Sequence, residues 1–374
     1  MLAGCGRIGF GAAGTAAPDG PGDDPAAMQV ARVAVADFHS CALDAAGTLW
    51  CWGGNYAGEL GAGDYNNRMT PTQIGATGDW IWIDAGIERT CGVHRDFSVD
   101  CWGSNGNGDL GVGDYMERTA PARVAVPDPI IAVASGESDN TAITTTGARW
   151  SWGDNRSSGA LGDGDTNGPN LNPVPALLDR WTAVTMGYKH ACGLRDDQTL
   201  WCWGDNQSGD LGLGTTTQQS TPQQVAPGTT WLAVSAGDEH TCAIQTDQSL
   251  WCWGGNTAGE LGDGTTTTSM LPERIASGFV DVACGASVTC GIHSDGTAAC
   301  WGLNTSGQLG VGDTAVHRTP TAVSGSGWHQ IDPFAMDHTC GATTGGEIWC
   351  WGAGHDGELG TGDTSNHASP VRVM

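Results

Sequence analysis

Positive charge is the scarcest feature of this 374-residue chain. It has 15 Lys and Arg, only one of them lysine (Lys189), against 41 Asp and Glu, for a formal net charge of −26. A surface of that sign repels the phosphate backbone, which excludes nucleic acid as a partner. Long apolar runs are also missing: none reaches the ~18 residues of a membrane-spanning helix. Charged residues make up only 15 %, while 60 Gly and 16 Pro interrupt the chain at roughly one position in five. That composition argues against long helices and coiled coils. The fingerprints of hydride, phosphoryl and acyl transfer are absent, so neither an enzyme nor a cofactor is expected. What the chain does have is 17 Trp, too many for an acidic disordered tail, and it reads as a large β protein.

Trp-Gly recurs at Trp52, Trp102, Trp152, Trp203, Trp253, Trp301 and Trp351, in steps of 50, 50, 51, 50, 48 and 50 residues. Each unit has the same internal order. In the fifth, an inner run from Trp231 to Gly237 leads to a strand at His240–Ile244, a turn at Thr246–Ser249 and a second strand at Leu250–Trp253. Alternating apolar and polar residues around Asp- or Gly-type turns mark β-hairpins. A Gly-rich loop follows, then an edge-type segment at Pro272–Ile275, since proline lacks the N–H of a central strand. Four short strands per 50-residue unit describe a propeller blade. The expected fold is all-β: a seven-bladed propeller of four-stranded antiparallel blades over residues 29–374. Its ring is expected to close where the N- and C-terminal strands, near Gln29 and at Pro370–Val373, share a blade.

The segments Gly237-Asp-Glu-His240-Thr241 and Trp253-Gly-Gly-Asn256-Thr-Ala-Gly259-Glu-Leu-Gly262 resemble regulator-of-chromosome-condensation repeats. Their pattern is Gly-x-x-His-Thr, then Trp-Gly-x-Asn-x-x-Gly-Gln-Leu-Gly. The resemblance covers everything but the N-terminus and implies a seven-bladed propeller. It does not choose a function, because members of that family include a chromatin-bound nucleotide exchange factor, a plant ultraviolet-B photoreceptor and secreted β-lactamase inhibitors. The photoreceptor's Gly-Trp-Arg-His-Thr does not occur here, which excludes light sensing, and acidity conflicts with nucleotide exchange.

Twelve of the 14 Cys fall in pairs ten residues apart within one hairpin. They are Cys41 and Cys51, Cys91 and Cys101, Cys192 and Cys202, Cys242 and Cys252, Cys290 and Cys300, and Cys340 and Cys350. A hairpin places such positions opposite each other, within the ~4.4–6.8 Å Cα separation of a disulfide. The third unit has Thr141 and Ser151 instead, so both cysteines are lost together, as bonded partners would be. Six bridges imply an oxidising compartment. Cys284 lies where other units have Ala236 or Ser135 and reads as a buried free thiol, or as a competitor of Cys290 for Cys300.

Near the start, Leu2-Ala3-Gly4-Cys5 looks like a bacterial lipobox with Cys5 as the lipidated residue. Gly6 in place of Asp favours the outer membrane. Residues 1–28 then form a lipobox-like N-terminus and flexible tether. The expected location is the cell envelope, outer-membrane-anchored or secreted, with the membrane reached only through Cys5, and the expected state is a monomer.

Candidate sites follow from departures between units. The two residues before the His position vary most, and loops on a rigid scaffold commonly bind. Phe38, Ile87, Glu88, Tyr188, Lys189, Asp238, Glu239, Met336 and Asp337 are therefore expected to bind a partner, an unknown protein or surface polymer, at one mouth of the ring. Four His (His39, His190, His240 and His338) have no Cys or carboxylate at ligand spacing in the sequence and read as structural. The family's Gly-Gln-Leu-Gly carries an acid in five units, at Glu59, Asp109, Asp210, Glu260 and Glu358, a ring of like charge read chiefly as solubility. Asp163, Asp165 and Asn167 fit the start of a calcium loop, although Val174 stands where its bidentate acid belongs. The function these features favour is a non-enzymatic interaction scaffold. The alternatives are a secreted inhibitor of an extracellular enzyme and an enzyme using the His residues in the channel. Intact mass before and after reduction tests the pairing: a gain of two hydrogens is expected for each of the six bridges, and no gain would refute them.

Overall fold

The computed structural model describes residues 30–75, 78–156, 158–176, 180–333 and 336–373. Seven four-stranded antiparallel sheets occupy residues 30–74, 80–124, 130–175, 181–224, 231–277, 279–322 and 328–372. Cys5 and residues 1–28, expected to form the lipid-bearing tether, lie outside the described residues.

Blade 1 shows the plan: β1 (Val30–Val35), β2 (His39–Asp44), β3 (Leu49–Gly53) and β4 (Arg68–Ile74), paired in that order. The two middle strands are buried almost throughout, because blades stack on both of their faces and leave neither to water. The fourth strand of each blade is the exposed rim, and each has a proline in mid-strand: Pro71, Pro121, Pro173, Pro222, Pro272, Pro320 and Pro370. The pairing register slips beside each of these prolines. A missing N–H costs nothing on an outer edge, and proline there blocks further strand addition.

The first strands touch cyclically around the axis, each against the next and the seventh (Trp328–Asp332) against β1, so the ring is closed. The expectation of a shared closing blade does not hold. Every sheet is built from four consecutive strands, because the unit begins on its inner strand and ends on its outer one. The ends meet by packing and side-chain hydrogen bonds instead. Val33 N donates to Gln330 Oε1 at 2.9 Å, Gln330 Nε2 donates to Val33 O at 2.6 Å, and Val35 N donates to Asp332 Oδ2 at 3.1 Å. Val33, Val35 and Trp52 share one apolar cluster with Ile348 and Leu359.

All six expected disulfides are formed. Cys41 is bonded to Cys51, Cys91 to Cys101, Cys192 to Cys202, Cys242 to Cys252, Cys290 to Cys300 and Cys340 to Cys350. In each pair the two residues stand directly opposite on the middle strands of their blade. Their Cα separation is 4.1 Å throughout, slightly inside the expected range, as suits the narrow pair of an antiparallel ladder. Cys284 is buried and free, so it does not displace Cys290 from Cys300. In blade 3, Thr141 and Ser151 face each other and their hydroxyls are 3.3 Å apart.

The Gly-rich loop after the third strand joins each blade to the next. The carbonyl of its central residue accepts the indole N–H of the next blade's Trp-Gly tryptophan in six of the seven junctions, at 2.8–2.9 Å. In five of them it also accepts a Ser or Thr hydroxyl, at 2.7–3.0 Å. Farther along the loop, a glycine N–H donates to the outer strand of the next blade in all seven junctions: Gly63 to Thr119, Gly113 to Leu171, Gly164 to Ser220, Gly214 to Met270, Gly264 to Arg318, Gly312 to Ala368 and Gly362 to Met69, at 2.8–3.0 Å. Gly212 shows why the loop needs glycine: its φ is +67°, and an added Cβ would lie 2.7 Å from Trp253 Nε1. Gly212→Ala should therefore lower stability by on the order of 3 kcal/mol, through left-handed strain and the displaced indole. Gly106→Ala, whose Cβ would meet nothing within 4 Å, should stay within about 0.5 kcal/mol. Urea denaturation followed by tryptophan fluorescence separates the two.

Candidate functional site

At one end of the axis the turns between first and second strands converge on a cavity of about 380 Å³. It is lined by Asp37, Ile87, Glu137, Tyr188, Asp238, Glu239 and Met336, drawn from six blades. Of the residues expected to bind a partner, Ile87, Tyr188, Asp238, Glu239 and Met336 are brought together here. Phe38, Glu88, Lys189 and Asp337 are the second members of their pairs and do not line the cavity. Phe38 packs edge-on against Tyr56 of its own blade, with ring centroids 5.8 Å apart. Sequence reasoning missed Asp37 and Glu137. The signal was present, since each is the first residue of its variable pair, but which of two adjacent loop residues turns toward the axis is decided by the closed ring.

The mouth is strongly anionic. Burial, with help from Asp337 and Glu88, pushes the Asp37 carboxyl up to about 6. Burial and the nearby Asp37, Glu239 and Glu137 push Asp238 up to about 7. Burial also raises Asp337. Tyr188 is pushed up to about 12, chiefly by its hydrogen bond to Glu137. Lys189 lies 3.9 Å from Glu137 and 4.8 Å above the Tyr188 ring. Arg89, which replaces a His, is turned inward: it donates to the carbonyls of Gly136, Glu137 and Asp139 and so holds the blade 3 turn in place.

The four His do not face this cavity. Each is 0–1 % exposed, and its Nε2 is hydrogen-bonded to a hydroxyl of the next blade: His39 to Thr90, His190 to Thr241 and His240 to Thr289 at 2.8 Å, and His338 to Ser40 at 3.0 Å. Burial lowers them to about 3, or about 4 for His190, so they stay neutral. Asp163 spends both carboxylate oxygens, and Asp165 its Oδ1, on donors of their own loop. Asn155 Nδ2, Asp165 N and Asn170 Nδ2 bond to Asp163, while the Thr166 and Asn167 amides and Asn167 Nδ2 bond to Asp165. Asp64 and Asp114 act similarly in blades 1 and 2.

The five acids of the Gly-x-Leu-Gly segments do not form an exposed ring: all are 0–3 % exposed. Their side chains fold back onto their own loop. Glu59 accepts from the amides of Tyr56 and Ala57 at 3.0 and 2.7 Å, and Glu260 from those of Thr257 and Ala258 at 3.1 and 2.7 Å. Aspartate is one methylene shorter, and one oxygen each of Asp109 and Asp210 is buried without a partner. Burial, then Asp205 and Glu239, push Asp210 up to about 8. A carboxyl raised in the folded state holds its proton after the unfolded chain has lost it, so its effect on stability worsens from about pH 4 to pH 8. Asp210→Glu should restore the second amide contact and stabilise the protein by on the order of 1 kcal/mol. In thermal melts the gain should be largest above pH 8 and should shrink toward pH 4.

Comparisons with known proteins agree with this architecture. The model of the RCC1-like domain matches residues 98–374, and the regulator of chromosome condensation (RCC1) repeat matches residues 30–59 and 46–93. The chain is 28 % identical over 195 residues to the ultraviolet-B receptor UVR8 of Arabidopsis thaliana, a match covering 49 % of this chain and 42 % of the receptor. Among solved structures, human WBSCR16 superposes with a TM-score of 0.78 at 20 % identity, covering 87 % of this chain and 94 % of that one. Prp20, the yeast RCC1 in complex with Kap60, gives 0.72 at 21 %, covering 81 % and 78 %. These likenesses establish the fold. With the family's domain matched over most of the chain and its repeats over the first blades, this protein belongs to the RCC1-like family.

Proposed function

We propose that this propeller is a non-enzymatic protein-interaction scaffold of the bacterial cell envelope, whose axial mouth receives a basic segment of a partner protein. The fold often serves as a protein-interaction scaffold, and Prp20p of Saccharomyces cerevisiae has been described together with its binding to Gsp1p and histones. The observation that carries the reading is the axial cavity, in which Ile87, Tyr188 and Met336 alternate with Asp37, Glu137, Asp238 and Glu239. Apolar groups alternating with carboxylates suit a Lys or Arg side chain: the stem lies on the apolar groups, the head meets the acids, and a guanidinium stacks on Tyr188. Closing a partner over the mouth covers charges that otherwise repel one another. Met336, 59 % exposed, is the apolar group most open to contact. Six buried disulfides suit export, and the Leu2-Ala3-Gly4-Cys5 segment suits anchoring at Cys5.

Pull-down from envelope extracts with the purified chain tests the proposal. A partner captured by the native chain should bind at least tenfold more weakly to Asp238→Lys and Tyr188→Asp, and its affinity should fall with salt. Ile81→Asp should bind normally, because Ile81 opens the inner strand Trp80–Gly86 and so lies at the far end of the ring from the mouth. Capture indifferent to both mouth variants would overturn the reading.

A further inference from the structure

Away from the mouth, the junction of blades 5 and 6 gathers a second set of chemically capable side chains. His240 and Cys242 lie on the strand His240–Gln245, Cys252 faces Cys242 from the strand Ser249–Gly254, and Cys284 ends the first strand of blade 6, Phe279–Cys284. A ring nitrogen of His240 and the sulfurs of Cys242 and Cys284 lie within 4.8 Å of one another. All four residues are 0 % exposed. At the position of Cys284, blades 1 to 5 carry Val35, Ala85, Ser135, Met186 and Ala236, so among these the cluster is specific to this junction. The sequence hid it, because Cys284 comes from the neighbouring blade.

With the Cys242–Cys252 bridge in place, two of the three sulfurs are bonded to each other and are not thiolate donors. Reduction by a dithiol changes this. Two electrons and two protons go to Cys242 and Cys252, and the dithiol closes to its own disulfide. Three thiols and an imidazole then share a dry space, and Cys₃His is a donor set of structural zinc sites. We propose that the reduced chain binds one Zn²⁺ through His240, Cys242, Cys252 and Cys284, and that this ion and the Cys242–Cys252 bridge exclude each other. A tetrahedral ion holds sulfur and nitrogen donors about 3.5–3.8 Å apart, so His240, Cys242 and Cys284 have to draw in by about 1 Å, while the Cys252 sulfur, which lies outside their 4.8 Å cluster, has to part from Cys242 and turn toward them. The imidazole bonds Thr289 Oγ1 through Nε2 at 2.8 Å while Nδ1 has no partner, so it can ligate through Nδ1, or through Nε2 by giving up the Thr289 contact. Loading releases the thiol protons to water, so affinity rises with pH. The site would hold this junction together before the bridge forms, or wherever the chain meets reductant.

Co²⁺ serves as the spectroscopic probe, added anaerobically to the full chain prepared under reducing conditions. One equivalent should give thiolate-to-cobalt charge-transfer bands and strong tetrahedral d–d bands, both displaced by Zn²⁺. The oxidised chain should give neither. Cys284→Ala should lose the bands, whereas Cys290→Ala, in the next hairpin, should keep them. Alkylation of the reduced native chain with and without Zn²⁺ provides a readout independent of how the variants fold: Zn²⁺ should slow the reaction of Cys242, Cys252 and Cys284 and leave that of the equally buried Cys290 and Cys300 unchanged. The proposal is overturned by a reduced native chain without cobalt bands, by equal bands in Cys284→Ala, by alkylation rates that Zn²⁺ does not change, or by a peptide map showing a Cys242–Cys284 bridge instead.

Discussion

The structure depends on a loop that belongs to one blade and is completed by the next. After its third strand each unit extends the segment that contains Gly-x-Leu-Gly. The carbonyl of its central residue is the acceptor for the neighbour's buried indole, and a later glycine N–H reaches the neighbour's outer strand. A single blade cannot satisfy these groups, and a buried unpaired amide or carbonyl is costly. The ring is thus the smallest arrangement in which every loop has its partner. This explains why the closure from blade 7 to blade 1 uses the same bonds as the other junctions, Trp52 Nε1 to Glu358 O and Gly362 N to Met69 O, and needs no shared strand.

Blade 3 shows what happens when the pattern is broken. It lacks the disulfide, Trp152 Nε1 has no partner, and Asn140 takes the Asp109 carbonyl that the indole would have used. Arg149 occupies the place held by Leu49 or Leu250 elsewhere and donates to Ser151 Oγ and to the carbonyls of Leu161 and Gly162 at 2.7–3.1 Å. A hydrogen-bonded cation replaces a covalent link there. The bridges in the other blades close loops of about eleven residues, each contributing on the order of 2.5–3 kcal/mol in the chain-entropy model. Because each lies inside a hairpin, they stiffen blades, while the loop bonds hold blades to one another.

A frame held in this way tolerates an unfavourable mouth. Asp37 and Asp238 are half-buried beside further carboxylates and keep protons to unusually high pH, chiefly because burial disfavours their charge and secondarily because neighbouring carboxylates repel it, a cost that folding alone would not favour. The blade 3 turn beside them, which carries Glu137, is held by Arg89 through the carbonyls of Gly136 and Glu137. Binding geometry can then vary from turn to turn without disturbing the ring, which is the arrangement expected of a scaffold.

Much of this was legible in the sequence because it is local. A 50-residue period, prolines on outer strands and cysteines ten apart across one hairpin determine seven four-stranded blades and six bridges without reference to distant residues. The mouth was legible in part: Ile87, Tyr188, Asp238, Glu239 and Met336 stand out as variable loop residues, but Asp37 and Glu137 become visible only when the closed ring decides which loop residues turn inward. The acids at Glu59 and Glu260 read as surface charge until the folded loop shows them bonded to their own amides. Cys284 read as an isolated thiol until blade 6 set it beside His240 and Cys242. Periodicity determines each blade because its contacts lie within one unit. Which polar groups are buried, exposed or gathered is decided between units, by the way seven copies close on one another.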